Sequence, residues 1–238
     1  MKRFDIKAKF LGLVVVAIAA TTGIVTACSS NAQNQAQAPS STATEAGNSS
    51  QSMDHNNMGG MNHGTMMDHS MMDLGPADAE FDLRFIDSMI PHHEGAVTMA
   101  QDVLQNSQRP ELKKLATDII KAQEKEINQM KQWRTAWYPK APSQPVAWHA
   151  AMGHSMAMSA DQMKAMRMDM DLGSADANFD KRFIDAMVPH HQGAVTMAQE
   201  ALGKSKRPEI KKLAQDIIRS QEAEIKQMQQ WEKTWYGK

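Results

Sequence analysis

The stretch Met89-Ile90-Pro91-His92-His93-Glu94-Gly95-Ala96-Val97-Thr98-Met99 returns 98 residues later as Met187-Val188-Pro189-His190-His191-Gln192-Gly193-Ala194-Val195-Thr196-Met197. The match continues without a gap on both sides: Asp73–Tyr138 aligns with Asp171–Tyr236, with about 45 of 66 positions identical. The chain is therefore built by duplication, and the fold of one copy fixes that of the other. Each copy reads as two helices. The first is expected from about Ala77 to Leu104, because Phe81, Phe85, Ile86, Met89, Ala96 and Ala100 recur at three- and four-residue steps. Its twin is expected to start near Ala175.

A break at Asn106-Ser107-Gln108 precedes Arg109-Pro110-Glu111, where a proline followed by an acid marks a helix start. In the second helix Leu112, Leu115, Ala116, Ile119, Gln123, Glu126, Met130, Trp133 and Trp137 fall on one side. The short connection makes the pair an antiparallel hairpin. Two hairpins, each with an apolar stripe, bury both stripes most economically as a four-helix bundle. The expected fold is thus all-α. Residues 73–140 form the first hairpin repeat, 141–170 a Met-rich crossover and 171–238 the second repeat, with no strand-like alternation anywhere. Separate or dimerising hairpins are the structural alternatives.

At the N-terminus, Lys2, Arg3, Lys7 and Lys9 precede an apolar run from Phe10 to Ala20. Residues 1–27 therefore read as an export signal. Val25-Thr26-Ala27-Cys28 resembles a bacterial lipobox, in which the cysteine takes a lipid and becomes the mature N-terminus. That reading gives a use to the chain's single cysteine, which as a free thiol would be a liability in an oxidising compartment. Residues 28–52 are Asn, Gln, Ala, Ser and Thr with almost nothing to bury, and read as a flexible tether. The expected location is the periplasm or cell envelope, with membrane contact only through the lipid.

One cysteine in 238 residues excludes disulfide frameworks and Cys-based zinc, iron–sulfur or CxxC chemistry. The leader holds four of the basic side chains and one acid, leaving 22 basic and 26 acidic residues beyond it, which argues against nucleic acid as a partner. The abnormal numbers are 21 Met against 6 Phe and 2 Tyr, and 9 His placed mostly near Met. Sulfur chemistry here has to be thioether chemistry.

Met89, His92 and His93 share a helix face, with Met99 one or two turns further along; Met187, His190, His191 and Met197 repeat the arrangement. Pro91 lacks the backbone donor and crowds the preceding turn, so a bend is expected at the His pair, and Gly95 leaves room beside it. Glu126 and Met130, and in the second copy Glu224 and Met228, lie on the facing side of the second helix. A carboxylate on that face needs a histidine or a metal as partner. Each Met alone is well explained as core filler. Two buried imidazoles are not, because leaving them unsatisfied costs about 1–3 kcal/mol each.

The flanking segments add a second pool. The arm at 53–72 carries His55, Met58, Met61, His63, Met66, Met67, His69, Met71 and Met72 among Asp, Asn, Gly and Ser. The crossover carries His154, Met156, Met158, Met163, Met166, Met168 and Met170. These surroundings lack the apolar neighbours that would bury methionine, so core packing is not expected to explain it. Thioethers are soft and neutral, and select Cu(I) or its mimic Ag(I), while imidazole also admits Cu(II). The candidate ligands are therefore the bundle residues named above together with the Met and His of both arms.

Phe81-Asp82, Arg84-Phe85-Ile86-Asp87 and the Pro-His-His-(Glu/Gln)-Gly-Ala core resemble the signature of the bacterial family catalogued as domain of unknown function 305. The resemblance implies a ferritin-like helix bundle and a periplasmic or secreted copper-binding protein, without turnover, that serves copper tolerance. It also places the family's ligands at Met89, His92, His93 and Met99 and at Met187, His190, His191 and Met197. Gln192 departs from Glu94, which puts any role of that carboxylate in question in the second copy. The expected partners are metal ions, with copper exporters or other periplasmic carriers beyond them. Two rivals stand beside this reading. One is a chaperone-like helical protein gripping partners through Met-rich surfaces. The other is a ferritin-like di-metal oxidase, which demands Glu-x-x-His pairs. Met89, Ile90, Met187 and Val188 stand where those glutamates would be.

Overall fold

The computed structural model describes residues 72–237. The expected leader, the tether with Cys28, and the arm with His55, Met58, Met61, His63, Met66, His69 and Met71 lie outside them. The described elements are α1 (Phe81–Asn106), α2 (Pro110–Trp137), β1 (Val146–His149), β2 (His154–Ala157), α3 (Ala160–Arg167), α4 (Phe179–Lys204) and α5 (Pro208–Tyr236). Among the described residues no helix is long and apolar enough to cross a membrane.

Helices α1 and α4 begin four residues later than the apolar spacing suggests. Asp78 takes the reason locally: its carboxylate accepts the Glu80 N–H at 2.9 Å, and its carbonyl accepts the Phe81 N–H at 3.4 Å. Asp176 does the same for Asn178 and Phe179. These turns satisfy the backbone outside the helix. Each hairpin closes through a serine: Ser107 Oγ accepts the Arg109 N–H and Ser205 Oγ the Arg207 N–H, both at 3.1 Å, and a proline then opens α2 and α5.

The four long helices bury two apolar clusters. One gathers the first half of α1 (Phe81, Phe85, Ile86, Met89), Met130 of α2, the second half of α4 (Ala194, Met197, Ala198, Ala201) and the start of α5 (Ile210, Leu213, Ala214, Ile217). The other gathers the second half of α1 (Ala96, Met99, Ala100, Val103), Leu112, Leu115, Ala116 and Ile119 of α2, the first half of α4 (Phe179, Phe183, Ile184, Met187) and Met228 of α5. Hence α1 and α4 run antiparallel, and each cluster is completed by the other repeat.

The hairpins also clamp one another reciprocally. Arg109, in the turn of the first, lies 3.3 Å from the Asp180 carboxylate and 4.0 Å from the Trp235 ring centroid of the second. Arg207, in the turn of the second, lies 3.4 Å from Asp82 and 4.2 Å from Trp137 of the first. Trp137 stacks on Trp133 and Trp235 on Trp231, both at 5.0 Å, so each guanidinium meets an ordered aromatic face.

The expectation of a strand-free chain is corrected in the crossover, which forms a β-hairpin followed by α3. The strands pair antiparallel, with Val146 opposite Ala157, Ala147 opposite Met156, Trp148 opposite Ser155 and His149 opposite His154; Gly153 takes φ +68° in the turn. Four-residue strands are too short to show a period, and buried polar groups of α1 hold them in place. The Val146 N–H donates to the Asp87 carboxylate at 2.9 Å, and Arg134 pairs with the same carboxylate. Arg84 is fully buried, donating to Leu74 O (2.6 Å), Pro76 O (2.7 Å) and Ser155 Oγ (3.0 Å), with Trp148 over its guanidinium at 5.2 Å. Its repeat counterpart Arg182 stays 35% exposed, and the β-hairpin that seals Arg84 packs on α1 of the first repeat.

Candidate metal centre

Four imidazoles meet where α1 and α4 cross. His92, His93, His190 and His191 are all buried, and the His92 and His190 rings stand 3.9 Å apart at a tilt of 50°. Three of the four have one nitrogen committed. His93 Nε2 donates to Glu126 Oε2 at 2.8 Å and His191 Nε2 to Glu224 Oε2 at 2.6 Å. His190 Nε2 donates to the Arg167 carbonyl at 3.0 Å. Carboxylate and carbonyl only accept, so Nε2 carries a proton in each. Nδ1 of His93, His190 and His191 is buried with no hydrogen-bond partner, and His92 has none at either nitrogen. A histidine that donates one nitrogen to an acceptor and leaves the other bare is oriented as a metal ligand is.

Burial holds His92 far below the ordinary histidine range, and the neighbouring His190, His93 and His191 push the same way. His190 is lowered to about 3, again chiefly by burial and then by His191, with the Arg167 carbonyl opposing. Both rings are therefore neutral and keep a lone pair to offer. The carboxylates satisfy the need read from sequence: Glu126 and Glu224 hold imidazoles in place.

Thioethers surround this centre on both sides, all fully buried: Met89, Met130 and Met197 in one cluster, Met99, Met187 and Met228 in the other. Met89 and Met99 share a helix yet serve opposite clusters, so each cluster draws methionine from both repeats. Among the described residues no three His, Cys, Asp or Glu side chains gather as a metal-binding group.

Two glycines shape the space. A Cβ on Gly95 would overlap the Arg167 carbonyl; one on Gly193 would strike the Met72 side chain, with Met72 Sδ 3.0 Å and His92 Nε2 3.1 Å from its position. The room expected beside Gly95 is thus filled from the crossover. Pro91 lies inside a continuous α1, which carries on to Asn106.

In the crossover the structure sorts the methionines. Met158 and Met166 are buried, and Met166 joins the first apolar cluster with Met72, so the expectation that this segment lacks neighbours to bury methionine is corrected for these residues. The burying surface is α1 and the bundle, which no local window of sequence contains. Met168 is half-buried against the same cluster and Met163 is half-buried. Met152, Met156 and Met170 are 60%, 41% and 55% exposed. His154 is exposed, its Nδ1 3.1 Å from the Met152 carbonyl. Sequence reading passed over His149, which strand register sets opposite His154 and whose Nδ1 is buried without a partner. Only pairing across the hairpin brings the two together. Glu94 lies outside the centre, paired with Lys131 at 3.1 Å and Arg167 at 3.4 Å; it tethers the crossover.

An all-α bundle with paired, buried His-His-Met centres defines a duplicated helical-hairpin protein of one family. The chain matches the model of the family described as domain of unknown function (DUF305) twice, over residues 27–134 and 82–232, and belongs to that family. It is similar to CopM, whose solved forms include a Cu(I)-bound one (44% identity, TM-score 0.51) and a Cu(II)-bound one (46%, 0.52). An Ag-bound form obtained by soaking has 42% identity and a TM-score of 0.52. Each of these alignments covers 65% of this chain and 97% of that one. A shorter match, 47% identical over 49 residues, is to the uncharacterized protein L153 of Acanthamoeba polyphaga mimivirus; it covers 21% of this chain and 32% of that protein, so this chain spans about a third of the length of that relative.

Proposed function

We propose that this chain is an exported copper-binding protein that captures Cu(I), accepts Ag(I) as its mimic and Cu(II) as a further state, and sequesters or hands on the ion in copper tolerance. The observation that carries the reading is His92: a fully buried imidazole with no partner at either nitrogen, at the crossing of two helices and between two clusters of buried thioethers. Neutral sulfur and nitrogen donors in a dry setting prefer a soft monovalent ion. The CopM forms with Cu(I), Cu(II) and silver support the same ion set.

In this reading Met89, His92, His93, Met99 and Met130, with Met187, His190, His191, Met197 and Met228, supply the tighter sites, and Glu126 and Glu224 orient the imidazoles. The arm at 53–72 and the exposed crossover residues, including His154, Met156 and Met170, supply weaker, exchangeable ones. The protein binds its ion without turning over a substrate. Residues 1–27 direct export, Cys28 carries the lipid, and 28–52 hold the bundle off the membrane within the periplasm or envelope, where copper exporters or carriers are its partners.

The test is a Cu(I) titration under reducing conditions against a competing chelator, with metal counted per chain. Several ions per chain are expected. A count below one overturns the reading, as does a Leu-for-Met chain that binds equally well.

A further inference from the structure

The two repeats present the same imidazole in the same place but not the same surroundings. Over Gly193, the point a Cβ would occupy lies 2.4 Å from the Met72 methyl, 3.0 Å from its sulfur and 3.1 Å from Nε2 of His92. Both side chains are buried, and the His92 nitrogen has no partner. Over Gly95, the counterpart of Gly193, the Arg167 carbonyl fills that point and takes the Nε2 proton of His190. The residue that repeats Met72 is Met170, and it is 55% exposed.

Arg167 is not there by chance of a loose loop. Its guanidinium reaches Glu94 (3.4 Å), Thr98 Oγ1 (3.0 Å) and Asp169 (3.1 Å), which pins the end of α3 to α1, and Met168 takes a left-handed turn (φ +48°) immediately after it. Met166 anchors the same segment in the core. The second repeat has Gln192 in place of Glu94 and so lacks the acid that would hold such a plug over Gly193.

We infer that the two cradles are inequivalent: over Gly193, Met72 Sδ and His92 Nε2 form a site for a soft monovalent cation that only the rotatable Met72 methyl occupies, while the matching cradle over Gly95 is closed by the chain's own Arg167 carbonyl. This rests on the copper reading above, but moves Met72 from the weaker arm sites to the bundle site and adds an order of filling. The carbonyl holds His190 Nε2 as a donor, and a donor nitrogen cannot ligate. An ion therefore enters at His92 first, and His190 Nε2 becomes available only when the crossover end lifts from Gly95.

The test follows the imidazole nitrogens of the full chain, labelled with nitrogen-15 histidine, during titration with Ag(I). The His92 signals should move with the first equivalent while those of His190 hold. Met72→Leu should abolish that early step at little cost in folding. Gly95→Ala, whose Cβ overlaps the carbonyl, should let His190 respond together with His92; if that variant fails to fold, the Met72→Leu comparison decides alone. Joint or reversed movement in the unaltered chain, or an early step that survives Met72→Leu, overturns the inequivalence and leaves the copper reading standing. Silver retained with neither ring responding also overturns it, and no silver retained at all removes the copper reading itself.

Discussion

The imidazoles of His92 and His190 lie 3.9 Å apart, one from each repeat, at the point where α1 and α4 cross. Neither ring can take a proton there without placing a charge in a dry interior beside other imidazoles. That contact links the stability of the metal-free protein to pH.

In the unfolded chain both histidines titrate near 6.5; in the folded chain His190 does so at about 3 and His92 well below its ordinary value. Between those limits the unfolded state binds protons that the folded state refuses. Stability is therefore full above pH 6.5 and declines as pH falls toward 3, by about 1.4 kcal/mol per pH unit for each histidine. Urea unfolding of metal-free protein at about pH 7.5 and about pH 5 should show the loss. Equal midpoints at both would contradict the burial of these rings as neutral groups.

Replacing His92 and His93 by alanine, and His190 and His191 likewise, should delete the tighter class of sites. The helical circular dichroism signal should persist, with stability reduced by about 1–3 kcal/mol for each carboxylate left without its imidazole. Collapse of the helices on this change would assign the histidines to structure alone.

Asp87 and its repeat counterpart Asp185 should differ sharply. Asp87 is buried and holds both Arg134 and the Val146 N–H, whereas the Asp185 side chain is 48% exposed beside Lys181. Asp87→Ala should cost about 3–5 kcal/mol, and Asp185→Ala no more than about 0.5 kcal/mol. Thermal melts of the two variants decide it.

The crossover methionines should divide by burial. Met166→Ala, at 3% exposure, should lose about 2–5 kcal/mol as a core truncation. Met152→Leu, Met156→Leu and Met170→Leu together should leave the melting temperature unchanged while lowering the number of weakly held Ag(I) ions. An unchanged ion count would remove these side chains from the binding set.

The reciprocal clamps should be additive across the molecule. Arg109→Ala and Arg207→Ala each remove one cation–π contact and one half-exposed ion pair, about 0.5–1 kcal/mol apiece. The double variant should lose the sum, since the two sites lie at different hairpin turns and share no residue. A much larger loss would mean that either clamp alone holds the hairpins together.

Much of this was readable along the chain. The apolar steps of α1 and α2, Pro110 and Pro208 at the helix starts, and the recurrence of Pro-His-His at a fixed offset are local signals, and the helices follow them. The His-Glu pairings were foreshadowed by Glu126 and Glu224 on the facing stripe. What misled was context. Met166 and Met158 look unburied in their own window and are buried by helices far away in sequence. Arg84 and Arg182 are repeat counterparts, each followed by Phe-Ile-Asp, and one is sealed while the other stays about one-third exposed. A hint was present in the repeat itself: Leu83 and Arg134 are replaced by Lys181 and Glu232 on the face the crossover leaves bare.

The sequence by itself determined the helices, the duplication and the choice of soft donors, because periodicity, caps and side-chain chemistry are properties of neighbours along the chain. Only the tertiary structure decided which donors meet, and it broke the equality of the two repeats. A single crossover can cover one face of a twofold-like bundle but not both, so one histidine received a backbone carbonyl and the other was left beside a thioether.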